Sequence, residues 1–353
     1  MATALSLPPE SSPPRPFHLS KGWARCWAEA YGEARPHCFD LDGARLRMEF
    51  RKERFGPLHF TLLASATNLQ TCYFDLEGEA SPAALAALAS LPQRLLGTGA
   101  AQVRIDWLDA QSPLLAAAEE WRGSTRLCIE PFAVSPLADC RAGFEAYLAR
   151  AGSSVGKYWK ACRRHILNGP IQFSVVTGGS DLGALLDEMF ALEASGWKGR
   201  EGTAILCNPA DARFYRSLAF AAAEAGALRI ALLREEERLL AYELCVIGGD
   251  SVLAMKVGYD ESRSKLQPGH MVALMNIRGA CADPAIAWYD MLGNGMRVAA
   301  YKQRFATDYR PLYRIRLFGG SATGRLLYAL YRAKPLAKRL RDGLRSLAGR
   351  SKR

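Results

Sequence analysis

No CxxC pair, no HExxH arrangement and no unbroken apolar run of membrane-spanning length occurs in this 353-residue chain. The nine cysteines form an odd set without regular spacing, which fits reduced thiols in a cytoplasmic protein better than a disulfide framework. The five histidines have no metal-ligand spacing, so no metal site is expected. The most apolar stretch, residues 218–233, is cut by Glu224, Gly226 and Arg229, which argues against a bilayer-spanning helix and for a soluble protein. The first 17 residues hold five prolines and neither a basic n-region nor a long apolar run; they read as a disordered leader rather than a signal peptide.

Acidic residues are in deficit, and the formal net charge is +11. From Ser321 onward ten basic residues and one acid carry +9 of it, so the body is nearly balanced and the cationic feature is a tail over 321–353. In that tail Leu326, Leu327, Leu330, Leu336, Leu340 and Leu344 recur at broadly helical spacing, with Pro335 as a break. A basic amphipathic helix of this kind fits an acidic partner or the inner face of the membrane; a helix packed on the body is the plainer reading. With no basic stripe read in the body, nucleic acid is the lesser option.

What is present is enough apolar sequence, 49%, for substantial cores, and the length sets a prior of about two domains. Helical spacing appears at 20–31, 82–96, 139–150 and 153–168, and strand alternation at RLRMEF, LHFTLLA, CYFDL and QVRIDWL. After residue 169 the predicted order is a strand (IQFSVV), two helices, and three strand runs at 227–234, 238–248 and 251–260 with links short enough for an antiparallel meander. A polar loop, a helix over 269–281, a strand over 285–292, a short helix from about Met296 and a strand over 313–318 follow. Helix starts with open N–H groups favour anions, so the loop before residue 269 is a candidate phosphate site; an ordinary connection with Pro268 in the first turn is the alternative.

This order, together with the stretches SGWKGREGTAI (195–205), KVGYDESRSKLQPGHMV (256–272) and YDMLGNGMRVAAYKQRF (289–305), resembles the GNAT acyltransferases. Within them it is similar to the CelD-like branch associated with cellulose and exopolysaccharide synthesis, itself related to FemAB-type aminoacyl transferases with two GNAT-like halves. The resemblance covers roughly 150–318. It implies an α/β GNAT fold: a leader (1–17), a degenerate N-terminal half (18–150), an acyltransferase half (151–320) and the basic tail (321–353).

It also implies an acyl-CoA co-substrate, whose pantetheine arm lies where the strands before and after the helix splay. Val257, Gly258 and Tyr259, the loop Gln267, Pro268, Gly269, His270 and Met271, and Trp288 to Leu292 are the corresponding pieces. Lys302 matches a Fem-type lysine and is a candidate to steady an oxyanion, and Tyr301 to return a proton to the leaving thiolate. Their plainer readings are a solvated helix lysine and a core or rim tyrosine.

Lys256 and Glu243 are ionisable groups inside apolar strands, where they are costly unless paired, facing a cleft, or on a wet face of the meander. Asp260 either serves as a base or ends the strand. Trp197, Lys198 and Arg200 combine an aromatic with cations suited to an anionic or sugar-bearing acceptor, or else close a helix. The basic, aromatic run at 157–166 reads as a solvated helix face. GGSATGR (319–325) is no P-loop, since Arg325 and Leu326 stand where Lys and Ser/Thr are required, and GNG (293–295) is too short for a dinucleotide fingerprint.

The expected activity is acyl-CoA-dependent N- or O-acyl transfer to an exopolysaccharide or cell-envelope precursor. A Fem-like transferase using aminoacyl-tRNA, and a non-catalytic membrane-associated accessory protein, stay open beside it.

Overall fold

The computed structural model describes residues 16–32, 36–78 and 80–333. The strands are β1 (His37–Leu41), β2 (Ala44–Phe55), β3 (Leu58–Ser65), β4 (Glu77–Gly78), β5 (Gln102–Asp109), β6 (Leu127–Asp139), β7 (Ile171–Val176), β8 (Leu228–Glu235), β9 (Arg238–Gly248), β10 (Ser251–Tyr259), β11 (Trp288–Asp290) and β12 (Asp308–Phe318). All belong to one sheet in the order β1-β2-β3-β5-β12-β6-β11-β10-β9-β8-β7, with β4 beside β2. Two neighbouring pairs run parallel, β3 with β5 and β10 with β11; the rest are antiparallel.

The final strands are exchanged. β12 lies between β5 and β6, and β6 lies between β12 and β11, so the sheet runs without a break through the middle of the chain. β6 was not foreseen. Pro131 and Pro136 remove two ladder donors from it, and that signature argues against an internal strand. Register shifts in the β12 pairing, between Leu312 and Tyr313 beside β6 and between Tyr313 and Ile315 beside β5, absorb the irregularity. CYFDL, expected as a strand, is instead part of an irregular loop after β3.

Both faces of the C-terminal sheet are covered, which is why β8 and β9 read as nearly continuous apolar runs. Ile230 and Leu232 pack with helices Leu182–Ser195 and Pro209–Glu224, while Ala231 and Leu233 pack with helices Val155–Cys162 and Pro268–Cys281. Helix Pro268–Cys281 buries Met271, Val272, Leu274, Met275 and Ile277 against the sheet, each contributing about 2 kcal/mol. β9 is buried on both sides, so Glu243 does not stand on a wet face, whereas Ala254 to Val257 of β10 are half-buried.

At the chain ends, Phe17 is already in the core. A helix over 322–333 packs Leu327 against Phe318 and Ala101, with Tyr328 and Tyr331 alongside, so the first part of the tail lies on the body. Residues 1–15 of the leader and 334–353 of the tail lie outside the described residues. No helix among the described residues is long and apolar enough to cross a membrane.

Candidate active site

β10 and β11 pair at Ser251–Trp288, Val252–Tyr289 and Leu253–Asp290 and then part. On one side a bulge between Ala254 and Lys256 bends β10 away while it stays with β9. On the other, the chain after β11 continues along β6, with the Met291 N–H donating to Pro136 O (3.0 Å) and the Val134 N–H to Gly295 O (3.1 Å).

Lysines occupy this gap. Lys302, from the short helix Ala300–Phe305, donates to Leu292 O at 2.6 Å, on the β11 side. Lys198 donates to Val257 O at 2.6 Å, on the β10 side, and to Glu193 Oε1 at 2.6 Å. Lys256 lies over the Tyr215 ring at 5.0 Å. Burial brings the Lys302 amine down from 10.5 to about 8, opposed by the carboxylates of Asp290 and Glu243 and assisted by the charges of Lys198 and Lys256. Burial also lowers Lys256, against the pull of Glu193 and Asp211. An amine poised near neutrality exchanges a proton readily or stabilises a developing oxyanion at little reorganisation. Tyr301 beside it is 45% exposed, at the rim, with its hydroxyl pushed up to about 12 by burial.

Glu243 is 5% exposed and sits on the helix-covered side of β9. It accepts from Asn276 Nδ2 (2.9 Å) and from the Tyr289 hydroxyl, and Arg229 Nε holds Asn276 Oδ1 at 2.6 Å. Burial pushes its carboxyl up despite these donors.

The helix start is narrower than the sequence implies. Gln267 is left-handed (φ 55°), and its carbonyl accepts from the His270 and Met271 N–H groups (3.0 and 3.2 Å). Pro268 has no donor, so the Gly269 N–H is the open one of the first turn. The Tyr259 ring stands 3.1 Å from where a Gly269 Cβ would be. His270 turns away to stack on Tyr158 (4.6 Å), and Met271 is in the core. Gly258 lets the Tyr242 ring approach, since a Cβ there would be 2.4 Å from it.

Residues 153–303 match the acetyltransferase (GNAT) domain family. The matched region contains the gap, the open helix start and all three lysines. Over nearly the whole chain the fold is similar to FemX (TM-score 0.57, 11% identity, 90% of this chain and 95% of that one). It is also similar to the C-terminal domain of a protein assigned as a lysylphosphatidylglycerol synthetase from Agrobacterium fabrum (TM-score 0.55, 12% identity, 86% and 91%) and to L-PGS from Bacillus licheniformis (TM-score 0.52, 11% identity, 91% and 98%). At such identities the likeness is one of fold. No curated protein matches the sequence.

Within the GNAT domain the expected residues divide. Lys302, Lys256, Lys198, Val257 and Glu243 converge on or beside the gap. Asp260 caps the turn Glu261–Leu266 through Ser262 N (2.9 Å) and pairs with Arg238; those bonds outweigh burial and hold its carboxyl below the usual value. Trp197, 40% exposed, donates its N–H to Glu261 Oε1 (2.6 Å), and Arg200 pairs with Glu261 Oε2 (2.8 Å), fastening the GWKGREG segment to that turn.

Sequence reasoning missed one feature. Asp290 and Tyr73 meet at the point where the strands part; the signal was an aspartate ending an apolar strand and a tyrosine in CYFDL. The basic run at 157–166 is solvated, as its reading as a helix face expects: no acid occurs between Glu145 and Asp181, and Lys157, Lys160, Arg163 and Arg164 are all exposed along the helix whose Tyr158 stacks on His270.

Lys198 also serves stability. Glu193, 3% exposed, has otherwise the Ile205 N–H at 2.8 Å, so Lys198→Met is expected to destabilise by roughly 3 kcal/mol in urea unfolding. Adding Glu193→Gln should recover most of that loss; no recovery would assign the loss to packing instead.

Proposed function

We propose that the chain is an acyl-CoA-dependent N- or O-acyltransferase of the CelD-like branch, acting on an exopolysaccharide or cell-envelope precursor in the cytoplasm or at the inner face of the membrane. The observation that carries the donor assignment is the parted β10–β11 pair leading to an open N–H at Gly269, with Lys302 on the β11 side of the gap and Lys256 nearby over Tyr215. The residues fit a phosphate-bearing thioester at that helix start, and the thioester supplies the activated carbonyl. Lys302 steadies the developing oxyanion, with Tyr301 placed at the rim to return a proton and the exposed Trp197 as the candidate contact for the acceptor. Two GNAT-like halves, 18–150 and 151–320, are supported by the repeated pattern of a meander followed by a parallel strand: β1-β2-β3 then β5, and β8-β9-β10 then β11.

A Fem-like aminoacyl-tRNA donor is the second reading. The Val257 and Leu292 carbonyls that flank the gap are already held by lysines, leaving fewer backbone acceptors for a pantetheine arm, and the stripe of Lys157, Lys160, Arg163 and Arg164 suits a polyanion.

Titration calorimetry with acetyl-CoA and longer acyl-CoAs distinguishes them. Gly269→Asp and Gly269→Asn press on Tyr259 alike and differ in charge, so binding that survives in the Asn variant and falls at least tenfold in the Asp variant places the pyrophosphate at the helix start. Binding of charged tRNA with indifference to every acyl-CoA selects the second reading, and binding of neither leaves an accessory role.

A further inference from the structure

Leu292 is left-handed (φ 55°), a conformation that costs a branched residue about 1–2 kcal/mol. Both sides of it are held. Its N–H donates to Asp290 Oδ1 at 2.8 Å, and its carbonyl accepts from Lys302 Nζ at 2.6 Å. Asp290 is fully buried, and its carboxylate also accepts from the hydroxyls of Ser135 on β6 and Tyr73 in the loop after β3. Arg310 on β12 stands 3.8 Å from Asp290 Oδ2 and donates to the Tyr73 hydroxyl at 3.2 Å. A chain of contacts thus runs from the N-terminal half, through the exchanged strands, to the amine in the gap.

We propose that Asp290 is a positioning residue for Lys302: it locks the Leu292 peptide so that its carbonyl aims the amine into the gap, and Tyr73 and Ser135 hold Asp290 for that purpose. The N-terminal half is then part of the active centre. The inference rests on Lys302 being the acting group, but its test reads the lysine and not turnover. The charges facing Lys302 are Asp290, Glu243, Lys198 and Lys256; those facing Asp290 are Arg310 and, through hydroxyls, Tyr73 and Ser135.

The experiment is NMR titration of the full chain with lysine labelled at 13Cε, the Lys302 signal being assigned by its loss in Lys302→Arg. Wild-type Lys302 should titrate near 8. In Asp290→Asn the side-chain oxygen still accepts from Leu292 while the charge is gone, so the midpoint should fall by roughly one unit. In Asp290→Ala the peptide relaxes, the amine returns to water and the midpoint should rise toward 10.5. Opposite shifts in these two variants support positioning; an unchanged midpoint in both overturns it. Should neither variant fold, Tyr73→Phe, which removes one donor to Asp290, must displace the Lys302 signal, and an undisturbed signal is equally fatal. Full transfer activity in Lys302→Ala would remove the catalytic reading and leave these shifts in place.

Discussion

Replacing Lys302 with methionine should make the protein more stable at pH 7, by roughly 2 kcal/mol, and should abolish that advantage above pH 10.5. Burial lowers the folded-state amine from 10.5 to about 8, so between those values the folded chain binds fewer protons than the unfolded one. Stability of the wild type therefore rises with pH across that window, by about 3 kcal/mol for such a shift, and below pH 8 the protein bears the full penalty of a buried cation. Methionine removes the charge but leaves the Leu292 carbonyl without its donor, which takes back about 1 kcal/mol. Tyrosine and cysteine titrations are common to both proteins and cancel in the difference. Urea midpoints from pH 7 to 11 check this, and parallel curves would sink it. The same variant should lose transfer by a factor of about 10²–10³, so stability and activity move in opposite directions, as expected for a group retained for chemistry.

Gly293→Ala should be strongly destabilising. A Cβ there would stand 1.8 Å from the Val134 carbonyl oxygen and 2.7 Å from its carbon. Both belong to β6 backbone, which cannot rotate aside, and Gly293 directly follows the clamped Leu292. Relief requires lifting the chain off β6, breaking the contacts of Met291 with Pro136 and of Gly295 with Val134. A loss of about 3 kcal/mol or more is expected by urea unfolding, with the Lys302 midpoint moving toward that of a solvated lysine. The neighbouring Gly295 has nothing within 4 Å of its Cβ position, so Gly295→Ala is the matched control and should be nearly neutral. Equal effects at the two glycines would refute the close approach. GNG, dismissed as a nucleotide fingerprint, is a backbone-packing device.

The C-terminal half was legible because its signals are local. The meander runs at 227–234, 238–248 and 251–260 correspond to β8, β9 and β10 with ends within one residue, and the helix expected at 269–281 is Pro268–Cys281. Apolar periodicity and Gly/Pro punctuation act over a few residues and suffice for that. β6 was illegible for the opposite reason. Its prolines disfavour a strand locally, and only pairing with β11 and β12, about 150 to 190 residues away in sequence, makes it one. The strand expected at 285–292 shrank to Trp288–Asp290 because β11 loses β10 after Asp290, and the helix expected near Met296 begins at Ala300 because residues 291–295 follow β6.

The sequence by itself determined the α/β class, the order of elements from 171 onward, and which ionisable residues stood in apolar strands, Glu243 and Lys256; Lys302 was singled out by resemblance alone. Those are consequences of period, composition and turn chemistry within short windows. Tertiary structure decided what each of them does. It placed Glu243 inside with Asn276 and Tyr289, gathered three lysines around a gap, and put Asp290 under Tyr73 from the other half of the chain. Charges interact through space at a few ångströms, where sequence separation carries no information, and burial sets the strength of those interactions. The protonation of Lys302 is thus a property of the exchanged sheet.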